Sequence, residues 1–116
     1  MSILKVTIYR EKARNEKMTS EYIKELQSLP KGKIIPKTRN NKTYYYLYYR
    51  EGKTIISKYL GKDKESLGEL YEKLVRRSQI EAILKKLKKE KKQIEKMEGL
   101  LWFYTMVAIW LLKIQD

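Results

Sequence analysis

Two turn signals divide residues 30–62 into three short runs rich in Tyr and Ile, and the positions of these turns constrain the fold more than any other feature of the chain. Asn40-Asn41 separates the first two runs, and Glu51-Gly52 separates the second from the third. Asn and Gly tolerate the positive φ angles that two-residue hairpin loops require, while Tyr and Ile favour strands. The segment therefore predicts a three-stranded antiparallel meander, with strands near 33–38, 43–50 and 53–60.

The two loops also predict a register, and the register decides which side chains share a face of the sheet. Two-residue loops at these positions pair Leu47 with Ile34 on one side and with Ile56 on the other. The face that holds these three residues is mostly apolar, so we expect it to pack on helices. The opposite face is expected to carry six cations, four tyrosines and no acid: Lys33, Lys37, Arg39, Lys42, Arg50 and Lys53, with Tyr44, Tyr46, Tyr48 and Tyr59.

The segment before the meander, residues 1–29, gives two weaker signals. Residues 2–9 alternate between apolar and polar side chains, which is typical of a strand. A short helix is then predicted to begin at Thr19 or Ser20 and to stop before Pro30.

Residues 63–98 predict one long helix, because their apolar residues recur at helical or heptad-like spacing. Its start is open between Asp63 and the capping-box candidate at Ser66. An apolar tail, residues 99–116, adds a final helical segment. The chain is therefore expected to be one α+β domain plus an extension: a short helix, a three-stranded antiparallel β-meander and a long C-terminal helix with coiled-coil potential.

Composition limits the chemistry open to the chain. The 116 residues include no Cys and no His, which argues against thiolate or imidazole catalysis and against the common zinc sites. The 27 basic residues exceed the 14 acidic ones by 13, and this excess favours a polyanionic partner, either nucleic acid or an anionic membrane surface. We expect a protein that is not an enzyme and that uses no cofactor or metal.

Most of the positive charge lies in the predicted sheet, where residues 30–62 hold nine cations against one acid. Lys and Arg neutralise phosphates, and Tyr can stack on bases or donate its hydroxyl to phosphate. A tyrosine nucleophile of the recombinase type is disfavoured because that chemistry needs His or a His-bound metal. The alternative is a solvated sheet face on which Lys blocks aggregation. The candidates for nucleic-acid contact are Lys33, Lys37, Arg39, Lys42, Tyr44, Tyr46, Tyr48, Arg50 and Lys53.

The second half of the long helix and the apolar tail leave several interpretations open. Lysines crowd residues 85–96, either as a solvated face with pairs such as Glu81–Lys85 or as contacts to phosphate or anionic lipid. Residues 100–112 carry no charge, yet as a helix they span about 20 Å, less than the roughly 30 Å of a bilayer core. The tail is expected to pack on its own domain, to join a second copy in a homodimer, or to associate with a membrane.

Three stretches of the chain resemble a small bacterial and archaeal domain of unknown function: LPKG at 29–32, YYYLYYREGK at 44–53 and SKYLGKD at 57–63. The resemblance covers about residues 24–95 and implies no activity. More loosely, a three-stranded sheet followed by a helix is similar to the arm-binding domain of tyrosine-recombinase integrases, and YYLYYREGKTIISKYLGKD is similar to the leading segment of some transposases. Both of these resemblances imply DNA contact through the sheet.

Together these observations predict a non-enzymatic accessory or regulatory protein that binds nucleic acid, DNA in preference to RNA, and that belongs to a mobile element. No apolar secretory signal stands at the start of the sequence, so a cytoplasmic location is expected. The alternative is a membrane-associated or coiled-coil interaction module that acts through the basic helix and the apolar tail. A structural partner of another protein, such as a nuclease inhibitor or a ribosome-associated factor, is a third interpretation.

Overall fold

The computed structural model of the protein describes residues 2–115 and confirms the α+β class. By contacts the chain divides into two units, one made of the residues up to Ile23 with those from Ile83 onward, the other of Lys24–Ala82. The elements, in chain order, are α1 (Ile3–Gln27), β1 (Lys33–Arg39), β2 (Lys42–Glu51), β3 (Thr54–Gly61), a 3₁₀ turn (Glu65–Leu67) and α2 (Gly68–Ile114).

The strand predicted for residues 2–9 is wrong, because these residues form the first turns of α1. The predicted short helix is the second half of the same element. Ile8 and Asn15 are buried one heptad apart, and Glu11 and Lys12 are half-buried between them. The inward stripe of α1 thus contains polar side chains, so its helical period is weaker in the sequence than the local alternation of apolar residues.

In the first unit, α1 pairs with the later part of α2 in antiparallel orientation. Leu87 and Ile94 of α2 are buried with Ile8 of α1, so the heptad-like stripe of α2 is used within the chain. Asn15 lies in this apolar contact with only 1% of its surface exposed, and its Nδ2 donates a hydrogen bond to the carbonyl oxygen of Leu87 at 2.9 Å. Its Oδ1 is buried and has no hydrogen-bond partner among the described residues.

The three strands lie in the order β1-β2-β3 and form the predicted meander. Asn40 and Asn41, with φ of 50° and 65°, form the first loop, and the predicted pairing of Ile34 with Leu47 is confirmed. Both central residues of this loop have positive φ, as a type I′ turn requires.

The second hairpin differs from the prediction by one residue in its loop. Gly52 has a φ of 62° and stands first in a Gly52-Lys53 loop, the position that a type II′ turn reserves for Gly. Leu47 therefore pairs with Lys58 rather than with Ile56. Because this shifts the pairing by two residues, each strand residue keeps its predicted face.

The second unit places the sheet against the start of α2. Leu47 of β2 is buried, as are Leu67 in the 3₁₀ turn and Ile80 of α2. The Asp63 carboxylate accepts a hydrogen bond from the backbone N–H of Glu65 at 3.0 Å, so Asp63 rather than a Ser66 capping box organises the entry to the helix. Ser66 instead donates its hydroxyl to the Asp63 carbonyl.

Two arginines of α2 fasten the end of α1 within this second unit. Arg77 donates hydrogen bonds to the carbonyl oxygens of Leu26 and Leu29, at 3.1 and 3.0 Å, and so engages one acceptor in the last turn of α1 and one just beyond it. Arg76 donates to both carboxylate oxygens of Glu25, at 2.8 and 3.0 Å. Through this hydrogen bonding the Arg76 guanidinium lowers the pKa of the Glu25 carboxyl below its usual value.

Gly32, which precedes β1, and Gly61, which ends β3, are predicted to respond unequally to substitution by Ala. Gly32 and Gly61 have φ of 129° and 116°, but only at Gly32 would an added Cβ meet other atoms, 2.7 Å from the Tyr48 carbonyl oxygen. We expect Gly61→Ala to lower the free energy of unfolding by about 1–3 kcal/mol through backbone strain, and Gly32→Ala to lower it by more. Urea unfolding followed by circular dichroism measures both, and equal losses would contradict the close approach at Gly32.

The unpartnered oxygen of Asn15 predicts that a shape-similar apolar side chain stabilises the helix pair. A buried acceptor without a partner costs about 1–3 kcal/mol, so Asn15→Leu should raise the free energy of unfolding by about 1 kcal/mol. Asn15→Ala, which leaves a cavity, should not raise it. Thermal and urea unfolding compare the variants, and a loss of stability in Asn15→Leu would show that Oδ1 is satisfied in solution.

Candidate nucleic-acid interface

Strand alternation and the observed register bring most of the candidate side chains to one face of the sheet, which we call the basic face. Lys37 lies opposite Tyr44, and Lys33 lies opposite Tyr48, across β1 and β2. Tyr46 lies opposite Tyr59 across β2 and β3. The strand residues of the basic face are Lys33, Ile35, Lys37, Arg39, Lys42, Tyr44, Tyr46, Tyr48, Arg50, Ile55, Ser57 and Tyr59.

Tyrosine side chains form the centre of the basic face. The ring of Tyr59 lies 5.4 Å from that of Tyr46 and 6.3 Å from that of Tyr44, centroid to centroid, in tilted arrangements. Tyr44, Tyr46 and Tyr48 are half-buried, whereas Tyr59 is 52% exposed. Tyr59 contacts the rings of both Tyr44 and Tyr46, so these three form a platform on which Tyr59 has the most open surface.

Lys37 lies over this platform and is held by two rings at once. Its Nζ is 5.1 Å from the ring centroids of both Tyr46 and Tyr48. Hydrogen bonding with Lys37, and secondly with Ser57, lowers the pKa of the Tyr48 phenol below its ordinary value of 10.0. Cation–π attraction and the phenol oxygen therefore orient the ammonium group without neutralising it.

The cations of the basic face have no carboxylate partners among residues 2–115. The six ion pairs within that range all join residues of α1 and α2, such as Lys12 with Glu98 and Arg76 with Glu25. No strand residue of the basic face is an Asp or Glu, and Glu51 at the end of β2 lies on the other side. The ion pairs of the described residues thus all lie on the helices, although α2 also carries unpaired lysines, while the cations of the sheet are without one.

A depression of about 290 Å³ lies beside the first hairpin loop on the basic face, lined by Arg39, Asn40, Tyr44, Tyr46 and Tyr59. A guanidinium, an amide and phenol groups converge there, and all three are suited to phosphate or sugar oxygens. Among the described residues no cluster of three or more acidic side chains could hold a metal ion.

The structure brings eight of the nine sequence candidates onto the basic face and leaves one apart. Lys53 lies in the second hairpin loop, because Gly52 must occupy the first loop position. Lys62 was not among the candidates selected from the sequence, yet its Nζ lies 5.4 Å from the ring centroid of Tyr44. Tyr45 and Tyr46 pair with Gly61 and Tyr59, so Leu60 is an extra residue at a β-bulge. The bulge inverts the alternation that follows it and carries Lys62 onto the basic face.

The profile of a domain of unknown function, DUF6788, matches residues 9–69, which is just over half of the chain. The match includes most of α1, all three strands and every candidate contact residue. It ends near the start of α2, so the lysine-rich stretch and the apolar tail lie outside it. No match to this chain is found among curated proteins or among solved structures.

The placement of Lys37 predicts a measurable effect on its neighbour. Lys37→Met keeps a long side chain but removes the ammonium, so the pKa of Tyr48 should rise toward its ordinary value of 10.0. Carbon-13 NMR of the tyrosine Cζ resonances during a pH titration measures this change. Lys58→Met, on the opposite face, is the control and should leave the Tyr48 pKa unchanged. An unaltered Tyr48 pKa in Lys37→Met would contradict the contact.

Proposed function

This chain belongs to the DUF6788 family, and we propose that it binds nucleic acid, DNA in preference to RNA, through the basic face, without catalysing a reaction. The observation that carries the proposal is the division of charge: the described ion pairs all lie on the helices, and the cations of the sheet have no carboxylate partners. Unpaired cations around an aromatic centre are suited to a polyanion, because phosphates would supply the missing counter-charge.

The spacing of the cations supports contact with a phosphate backbone. Lys37 and Arg39 are two residues apart on β1, which separates them by about 6.6 Å along the strand. Arg39 lies opposite Lys42, so cations also adjoin across the first hairpin. In the proposed complex this corner of the sheet contacts successive phosphates of one strand.

The tyrosines would divide their roles according to exposure. Tyr46 and Tyr48 are half-buried and hold Lys37, so they act as positioning residues for a phosphate contact. Tyr59 is the most exposed of the cluster and is the best suited to contact a base or sugar. The depression beside Arg39 would accept a phosphate or sugar group next to it.

Groove dimensions favour DNA over RNA as the partner. The major groove of B-form DNA admits strands of a β-sheet, whereas the major groove of A-form RNA is deep and narrow. The resemblance to the three-stranded arm-binding domain of tyrosine-recombinase integrases supports the same mode by analogy of fold. An accessory or regulatory role in a mobile element would follow from that analogy.

Fluorescence anisotropy with a labelled DNA duplex over a range of salt concentrations tests the proposal. If about six phosphates are neutralised, log K should fall against log salt with a slope of about −5. Lys37→Glu should weaken binding about tenfold or more and reduce the magnitude of the slope by about one.

Lys58→Glu is the matched control, because Lys58 is an exposed lysine of the same sheet on the opposite face. It changes the net charge by the same amount and should alter affinity much less. Binding that ignores salt, or equal losses in the two variants, would overturn the proposal in favour of a merely solvated sheet face. Binding that survives the combined Lys37→Glu, Arg39→Glu and Arg50→Glu changes would do the same.

A further inference from the structure

The apolar tail continues α2 as a regular helix to Ile114, and its side chains stand largely in solvent. Trp102, Tyr104 and Trp110 are 66%, 67% and 61% exposed. By length and composition this helix is apolar enough to cross a membrane, and none of the qualifying stretch is buried inside the protein. The tail therefore lacks a covering surface within the described chain.

The apolar surface of the tail runs around the whole helix. Trp102, Phe103 and Tyr104 are exposed and point about 100° apart, and the exposed Leu112 points into the arc that these three leave open. A partner helix would bury one stripe of such a surface and leave the other sides in water. A lipid environment covers all sides at once, so the pattern fits lipid better than a second copy of the chain.

The beginning of α1 extends this apolar surface instead of covering it. Within the same unit, Ile8 and Tyr9 border a groove of about 590 Å³ whose other wall includes Leu101 and Trp102. Ile3 and Tyr9 nevertheless remain strongly exposed. Contact with α1 therefore leaves the tail unshielded.

A belt of unpaired lysines precedes the tail on α2. Three of the four acids that could neutralise it are engaged elsewhere: Glu81 pairs with Arg77 at 3.1 Å rather than with Lys85, Glu90 pairs with Arg14, and Glu98 pairs with Lys12. The fourth, Glu95, has no ion-pair partner among residues 2–115 and offsets one of the seven lysines. The lysines of the belt are exposed and have no ion-pair partner among residues 2–115: Lys85, Lys86, Lys88, Lys89, Lys91, Lys92 and Lys96.

From this arrangement we propose that the apolar tail inserts into an anionic lipid bilayer and that the lysine belt binds the headgroup phosphates at its surface. Cations next to an apolar segment match the order of charge and hydrocarbon in an anionic leaflet. Trp102 and Trp110 provide the amphipathic rings that favour the interface. The charge-free residues 100–112 span about 20 Å, so insertion places Lys113 short of the far side, where its side chain snorkels toward headgroups.

Both tryptophans of the chain lie in the tail, so tryptophan emission, excited at the long-wavelength edge where the tyrosines do not absorb, reports on this segment. Full-length protein mixed with vesicles of phosphatidylcholine and phosphatidylserine should show blue-shifted emission, and brominated acyl chains should quench it. Vesicles of phosphatidylcholine alone should bind more weakly. Removal of belt charge in Lys88→Gln with Lys92→Gln should lower partitioning by about fivefold for each lysine.

Flotation of the vesicles on a density gradient provides a second readout with matched variants. Trp102→Glu with Trp110→Glu should abolish flotation, whereas Ile55→Glu, on an equally exposed apolar residue of the sheet, should not. Ile55→Glu places a carboxylate on the basic face and should weaken DNA binding, so the two proposals fail separately. Emission that anionic vesicles leave unchanged would overturn the inference. A second result would also overturn it: the original protein is a dimer that does not float with vesicles, and the Trp102→Glu, Trp110→Glu variant is a monomer. The tail would then be covered by a second copy of the chain.

Discussion

The positive φ angles at two hairpin loops are the constraint on which the candidate site depends. Asn40 and Asn41 in the first loop and Gly52 in the second adopt a backbone conformation that most residues avoid, and they thereby fix the pairing of β2 with both neighbours. Because side chains alternate along a strand, that pairing alone determines whether Lys37 meets Tyr46 and Tyr48 or faces the helix. The two loops therefore determine which side chains form the basic face, although they contribute few of those side chains themselves.

The sequence was sufficient for the meander and its faces, because turn residues and strand residues indicated the same structure. The second loop was predicted one residue too early in the sequence. The assignment of residues to the two faces was still correct, because this error shifts the pairing of β2 with β3 by two residues. The prediction of a strand at residues 2–9 was wrong for a different reason: α1 buries the polar Asn15 and places Glu11 and Lys12 at the edge of the contact, so its helical stripe is not apolar. Lys62 was missed because a bulge reverses the alternation before it, and nothing in the local composition marks the bulge.

Charge is organised by secondary structure in this protein. Outside the lysine belt, the helices carry both signs and join several of them in pairs such as Arg76 with Glu25, which contribute modestly to stability. The basic face of the sheet and the lysine belt of α2 instead carry an excess of cations that have no ion-pair partner among residues 2–115. An unpaired cation gains little in the free protein, so we interpret both regions as surfaces shaped for anions, phosphates of a nucleic acid for the sheet and phosphates of lipid headgroups for the belt. The two regions are interpreted differently because the apolar tail adjoins the belt, and a lipid bilayer, unlike a nucleic acid, would also cover apolar side chains.

The bulge at Tyr45 and Tyr46 makes the site sensitive to a kind of change that substitutions do not imitate. Leu60 is the additional residue there, and because the bulge accommodates it outside the strand pairing, Lys62 lies on the face of Tyr59 although it follows that residue by three positions. Loss of Leu60 would remove the bulge and leave Lys62 on the basic face, whereas one further residue between Tyr59 and Lys62 would turn Lys62 to the other side of the sheet. In lineages of this domain, a residue gained at the end of β3 would therefore alter the basic face more abruptly than a change of residue type at the same positions.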